Sequence, residues 1–383
     1  MRCSVAELAE RAANPELCNQ TPFGISAGAV WDSIYRTQGS QKLRCGMAFL
    51  KFKKSLVALL LLSPSLWIFL APSANAGDAK SWLANARSSL DVSARFIHSD
   101  NQFSDLYAVG FDYFNVFSTD RGDVGTLIFQ PFLVRSDFDQ TVAGFSTEQK
   151  DTGLKWRISN FNYTGIGRGR FNVRVGHFEL PFGLEQIVQT NGTLNQTNAF
   201  ANTGLKTDWG ISLNGELPAL EYELGFMRGG GNRLRTDANG YFVGRVGLPR
   251  YRSWWLGVSG VTGELEFNDA LVNLKGVALD AGIRLPNGLH LMTEYTVQET
   301  NSVSTSHVFS ELGYTNRTEA LITYFQWRVG DAQNAFGAST SPKASLGMRF
   351  EPTRRWSASA EIQQLSGSAG GSQAYVMQLR FRS

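Results

Sequence analysis

Between Lys343 and Glu351 the chain reads KASLGMRFE, and alternate residues in that stretch are chemically opposite. Ala344, Leu346, Met348 and Phe350 fall on one face of an extended strand, while Lys343, Ser345, Gly347, Arg349 and Glu351 fall on the other. A repeat of two is the signature of a β-strand whose two faces meet different surroundings. The pattern recurs. Val277, Leu279, Ala281 and Ile283 oppose Ala278, Asp280, Gly282 and Arg284, and Trp356, Ala358, Ala360 and Ile362 oppose Ser357, Ser359, Glu361 and Gln363. Each run is about ten residues long, the length a tilted strand needs to cross a bilayer.

Read this way, segments lie near 89–97, 106–115, 123–135, 152–163, 169–180, 208–216, 220–227, 240–248, 254–261, 274–285, 288–298, 304–313, 318–330, 342–351, 355–365 and 373–381. Counted back from the C-terminus, the connections alternate: SGSAGGS, DAQNAFGASTS and ETNSV read as loops, PTR, YTNR and PN as turns. No apolar run after Gly77 is long enough for a spanning helix. The expectation is an all-β chain, a transmembrane antiparallel β-barrel of about sixteen strands (14–18) with short periplasmic turns and longer external loops. Closure satisfies every backbone N–H and C=O inside the membrane, which an open sheet cannot do. A soluble β-sandwich also alternates, but it requires neither ten-residue strands nor charges opposite nearly every apolar face.

Trp209, Trp254, Trp255, Tyr295, Trp327, Trp356 and Phe381 sit toward strand ends, where amphipathic rings favour the headgroup level. The last segment, AYVMQLRF, places Tyr375, Met377, Leu379 and Phe381 on one face. It resembles the C-terminal signal that the barrel-assembly machinery of Gram-negative bacteria recognises during insertion.

The N-terminal part differs from the rest. Lys51, Lys53 and Lys54 precede an apolar run from Leu56 to Leu70 that closes on Ala74-Asn75-Ala76, the plan of a secretory signal peptide over 47–76. Such a signal works near a true start, so Met47 is the expected first residue, 1–46 an upstream extension and 77–383 the barrel. Cys3, Cys18 and Cys45 all lie in the extension, so the exported part has no disulfide framework. The first 76 residues hold eight of the 36 Lys/Arg and four of the 33 Asp/Glu. The formal +3 therefore belongs to the removed segment, and nucleic acid is not an expected partner.

One stretch, RVGHFELPFGLEQ, carries a resemblance. Gly176, Phe178, Pro181, Phe182, Gly183, Leu184 and Glu185 are similar to the G-x-F-x-x-P-F-x-L-E segment of the phosphate-selective porin O/P family. The resemblance implies a trimeric sixteen-stranded outer-membrane channel, a passive diffusion pore for small hydrophilic solutes or ions that leans toward anions. The mature part has only scattered lysines, with no cluster for phosphate.

Selectivity of such a pore depends on the charges that line it. The strand phases put Lys155, Arg157, Arg174, Arg245, Arg284 and Arg349 inward together with Glu221, Glu223, Asp280, Glu294 and Glu361, a mixed wall with a transverse field. By parity, 184–208 is the third external loop. Its Gln189, Asn191, Asn195, Gln196 and Asn198 are candidates to line a constriction, with a solvent-exposed loop as the competing reading. Arg228, Arg233 and Arg235 in the fourth external loop form a basic mouth, suited to lipopolysaccharide phosphates or solvent and equally able to draw anions.

A barrel hydrolase of phospholipase or protease type needs a catalytic constellation, and the four histidines offer neither a close metal-type pair nor a nucleophile context. His98 with Asp100 reads as a solvated loop. No cofactor or metal is implied. A structural or conduit barrel is the third alternative, set against a plain pore embedded in outer-membrane lipid.

Overall fold

The structure is a computed structural model that describes residues 85–99, 102–120, 122–136, 151–187, 205–234, 240–267, 270–301, 303–334, 337–367 and 370–383. The expected signal peptide, 47–76, and the upstream extension, 1–46, lie outside the described residues.

The strands are β1 (Arg87–Ser99), β2 (Gln102–Thr119), β3 (Gly122–Ser136), β4 (Asp151–Ile166), β5 (Phe171–Glu179), β6 (Thr207–Leu217), β7 (Leu220–Met227) and β8 (Tyr241–Gly247). They continue with β9 (Trp254–Phe267), β10 (Ala270–Arg284), β11 (Leu289–Thr300), β12 (Val303–Thr315), β13 (Leu321–Asn334), β14 (Gly337–Phe350), β15 (Trp356–Gly367) and β16 (Gly370–Arg382). Each pairs antiparallel with its chain neighbours, and β1 pairs with β16 from Asp91↔Arg382 to Ser99↔Ala374, which closes the barrel. No helix among the described residues is long and apolar enough to cross a membrane; the chain crosses with strands.

The alternation in the sequence sorts onto two surfaces. On β14, Leu346, Met348 and Phe350 are exposed at 60%, 47% and 48%, while Ser345 just before them is 2% exposed. Leu256, Val258, Val277, Leu279, Leu312, Met377 and Leu379 repeat this on other strands. In contrast, Asp91, Arg95, Arg245, Asp280, Glu294, Glu311, Gln326, Glu361, Gln378 and Arg380 are buried. Greasy outside and ionisable inside is the inverse of a soluble core, and it is the arrangement a barrel takes in hydrocarbon.

At one end of β9 and β10 the in–out phase continues but the chemistry of the two faces changes. Val277 and Leu279 point out, but beyond Gly276 the apolar residues Val272 and Leu274 are buried while Asn273 and Lys275 are exposed. The strand there has left the hydrocarbon, so its outer face meets water and its inner face carries the grease.

Inward glycines face rings across the ladder. Gly110 pairs with Phe132, Gly282 with Trp255, Gly313 with His290 and Gly347 with Tyr324, and in each pair a Cβ on the glycine would collide with the ring. The ring lies over its glycine, flat along the wall. This corrects the expectation for Trp255: it is 1% exposed inside the barrel, whereas Trp254 is 54% exposed outside. Adjacent residues of one strand cannot share a face, and Trp254 takes the lipid side.

The connections at one end are as short as the sequence suggested, with 218–219 joining β6 to β7 and 285–288 joining β10 to β11. At the other end, three of the stretches that read as loops are largely strand. β13 and β14 pair from Asp331↔Thr340 to Asn334↔Gly337, β11 and β12 pair to Thr300↔Val303, and β15 and β16 to Gly367↔Gly370. Beyond the hydrocarbon nothing requires an apolar outer face, so paired strand there has no alternation to betray it.

Candidate functional site

The segment after β5 turns into the barrel. Strand β4 pairs with β5 only from Ser159↔His177 downward, although β4 continues to Asp151. Gly176 sits at this parting with φ 128°, and a Cβ there would collide with the Ser159 carbonyl oxygen. Only glycine permits that backbone and that approach together. Past Glu179, Leu180 donates its N–H to the Lys206 carbonyl at 3.0 Å, and a tight turn follows in which Phe182 N–H reaches Leu180 O at 2.9 Å.

Residues 180–187 then dock on the inner wall. Leu180 and Phe182, both fully buried, pack with Phe178, Leu205, Met227, Val243, Val261, Val272 and Leu274. The inward grease of β8 to β10 is therefore the floor on which this segment lies. Leu184 joins a second apolar group with Trp255, Met292 and Phe309.

Polar ties hold the same stretch. The Gly183 N–H donates to Ser259 Oγ at 2.8 Å, and the Leu184 N–H donates to Glu294 Oε2 at 2.5 Å. Gln186 Nε2 donates to Glu223 Oε2 at 2.8 Å, and its Oε1 accepts from Arg250 Nη2 at 2.8 Å. Lys206 Nζ donates to the Glu185 carbonyl oxygen at 2.9 Å. Gly183 has φ 50°, and any Cβ on it would collide with the Glu294 carboxylate. A buried carboxylate accepting backbone N–H groups is a strong, charge-assisted anchor. Gly176, Phe178, Phe182, Gly183 and Leu184 of the sequence motif thus each have a mechanical part in turning or pinning the segment.

All eleven charged residues assigned to the interior from strand phase lie on the inner face. Lys155 follows outward Leu154, Arg349 lies between outward Met348 and Phe350, and Arg284 stacks its guanidinium 4.7 Å from the Trp255 ring. They do not form one cluster but divide into two arcs.

The first arc spans β5 to β12 and is rich in carboxylates. Arg245 donates Nε and Nη2 to Asp280 at 2.8 and 2.7 Å and Nη1 to Glu221 at 2.6 Å. Arg250 also bonds Glu221. Glu223 takes Arg174 at 3.2 Å and the Ser212 hydroxyl at 2.6 Å. Glu311 accepts from Gln326 at 2.6 Å and lies 2.9 Å from His290 Nε2.

The second arc spans β13 to β16 with β1, β2 and β4, and is rich in guanidinium groups. Arg380 Nε donates to both oxygens of Asp91, at 2.9 and 3.0 Å. Arg382 reaches Asp91 at 3.5 Å and Asp112 at 3.4 Å, and Arg157 lies 3.8 Å from Asp91. Three guanidinium groups therefore share two carboxylates. Arg95 donates Nε to Gln378 Oε1 at 2.8 Å, Arg349 pairs with Glu351, and Lys343 stands opposite Arg328 in the ladder.

Phase reasoning missed Asp91, Arg95, Arg250, Ser259, Gln186, Arg380 and Arg382. Arg380 was legible, because it alternates with Leu379 and Phe381 on the last strand. Arg250 and Gln186 were not, since they lie in connections whose path the alternation does not describe. The constriction candidates Gln189, Asn191, Asn195, Gln196 and Asn198 lie outside the described residues, as does Arg235. Of the other mouth residues, Arg233 is exposed and Arg228 is half-buried, its N–H on the Trp209 carbonyl at 2.8 Å. No group of three or more His, Cys, Asp or Glu among the described residues could hold a metal ion.

No protein-family model matches the sequence, and no curated protein does. Solved structures match the fold. The chain is similar to an anion-selective porin from Comamonas acidovorans at a TM-score of 0.56 and 13% identity, over 78% of this chain and 99% of that one. It is similar to OprB of Pseudomonas putida at 0.56 and 11%, over 80% and 97%. It is also similar to a loop-deleted OmpT of Vibrio cholerae, an outer membrane protein, at 0.55 and 9%, over 78% and 99%. The architecture is that of a bacterial outer-membrane β-barrel of the porin type.

Proposed function

We propose that the chain is a passive outer-membrane porin, a diffusion channel for small hydrophilic solutes and ions that leans toward anions. The observation that carries this reading is the pinned segment 180–187, which lies on the carboxylate-rich wall and leaves the guanidinium-rich wall facing it across the bore. A solute passing between the two walls exchanges hydration water for fixed donors and acceptors, and the excess of guanidinium groups on one wall favours anions. No energy source or cofactor enters such a mechanism.

One structural neighbour is an anion-selective porin, which supports the same direction, and the Gly176-to-Glu185 motif supports kinship with the phosphate-selective porin O/P group. A trimer form of OmpT among the neighbours supports assembly as a homotrimer. In this reading the apolar belt meets outer-membrane lipid, Arg228, Arg233 and Arg235 meet lipopolysaccharide phosphates, and the barrel-assembly machinery inserts the chain after export and cleavage at Ala76.

Planar-bilayer recording of the refolded protein in a salt gradient tests the proposal. Discrete conductance steps with an anion-signed reversal potential are the expected result. A folded barrel without steps defeats the channel, and a cation-signed potential defeats its polarity.

A further inference from the structure

Below the pinned segment, a cavity of about 300 Å³ opens on the inner wall, lined by Asn172, Glu216, Glu221, Glu223, Arg245 and Arg250. Its volume is at the small end of ligand cavities, which run roughly 300–1,000 Å³. Most of its charge is already spent. Glu221 is held by Arg245 and Arg250, and Glu223 by Arg174 and Gln186.

What remains unspent defines the ligand. Asn172 is 8% exposed, and its Nδ2 donates to Gly169 O at 3.2 Å and to Asn214 Oδ1 at 3.1 Å. Its Oδ1 is buried without any hydrogen-bond partner. A buried acceptor left unmade costs about 1–3 kcal/mol, so this oxygen calls for a donor. Glu216 lies opposite Glu221 in the β6–β7 ladder, and its carboxylate makes no ion pair or hydrogen bond among the described residues. Arg250 spends Nε on Glu221 and Nη2 on Gln186, which leaves Nη1 as a donor.

The cavity therefore offers two acceptors, the neutral amide oxygen of Asn172 and the anionic carboxylate of Glu216, and one cationic donor, Arg250. A carboxylate solute would meet Glu216, and an ammonium solute would meet Arg250. A hydroxyl group donates and accepts at once and carries no charge. We propose that this cavity is a subsite for a neutral, hydroxyl-rich solute about the size of one sugar ring, held between Asn172, Glu216 and Arg250. Its place in transport rests on the channel reading above. Gln186 lines the cavity and belongs to the pinned segment, so the subsite adjoins that segment.

Calorimetric titration of the folded protein in detergent with D-glucose, D-glucosamine and D-glucuronate tests the subsite independently of conduction. Saturable glucose binding, stronger than that of either charged analogue, is the expected result. Glu216→Ala and Asn172→Leu should each weaken it about tenfold, equivalent to ~1.4 kcal/mol. Glu216 is solvent-exposed at the rim, so its variant tests the site even if Asn172→Leu fails to fold. Absence of saturable glucose binding, preference for a charged analogue, or undiminished binding by Glu216→Ala overturns the proposal. Single-channel recording on the same preparation separates the two readings. Conduction without glucose binding removes the subsite alone, and glucose binding without conduction removes the channel alone.

Discussion

The carboxylate of Glu294 on β11 accepts the backbone N–H of Leu184 at 2.5 Å, inside a barrel where Glu294 is 2% exposed. That buried oxygen is one of the ties, with Ser259 Oγ and Lys206 Nζ, that hold the segment after β5 against the wall.

Removing that acceptor should loosen the segment without opening the barrel. Glu294→Ala forfeits a charge-assisted hydrogen bond worth about 1.5–3 kcal/mol and leaves the Leu184 N–H unpaired. Single-channel current should become noisier and change in mean amplitude, while the folded gel mobility stays unchanged. A quiet trace identical to the parent would show that the apolar docking of Leu180 and Phe182 and the remaining ties to Ser259 and Lys206 hold the segment without Glu294. Gly183→Ala should give the same phenotype from the other side, because its side chain would displace the carboxylate.

The guanidinium-rich wall predicts a charge-specific effect. Arg382→Gln removes one of three cations around Asp91 and Asp112 and should lower the anion-to-cation permeability ratio, whereas Asp112→Asn should raise it. Reversal potentials in a salt gradient measure both. The difference should shrink as salt rises, since the screening length is only about 10 Å at 0.1 M. Shifts of the same sign for both variants would contradict the arrangement.

The glycine and ring pairs predict a steric effect. In Gly282→Ala the added methyl occupies the space over which the Trp255 ring lies, so the indole must turn off the wall. Conductance should change with no change in ion selectivity, since no charge is altered. A selectivity change with conductance intact would assign Trp255 a different part.

The outer face predicts a depth-dependent cost. Leu346→Arg places a cation where Leu346 is 60% exposed to hydrocarbon and should destabilise the barrel by up to about 2–4 kcal/mol, less if the position lies near an interface. Ser345→Arg, one residue away and inward, should leave the outer belt intact. Urea refolding titrations into lipid vesicles compare the two, and equal penalties would mean that the faces are misassigned.

The alternation made the barrel legible because hydrocarbon enforces it: where a strand crosses lipid, as at Leu346 and Met348, most outward residues are apolar. The eleven charged wall residues followed from the same phase. The alternation failed where lipid is absent. The outer ends of β13 and β14 carry no alternation, and the pair of Asp331 with Thr340 looks like loop in the sequence. It failed again at Trp254 and Trp255, where two adjacent rings invite one explanation although strand geometry demands two. The docking of residues 180–187 was foreshadowed by the motif, but its partners Ser259 and Glu294 lie too far along the chain for any local pattern to join them.

The contact between Asp91 and Arg380 joins the first strand to the sixteenth, and its consequence is kinetic. Until β16 arrives, β1 presents a raw edge of backbone groups that lipid cannot satisfy, at several kcal/mol for each. Fifteen strands are therefore no partial product but an unstable intermediate, and insertion is committed only when the seam zips shut. A nick in β16 should unravel what looks, strand by strand, like a nearly finished wall.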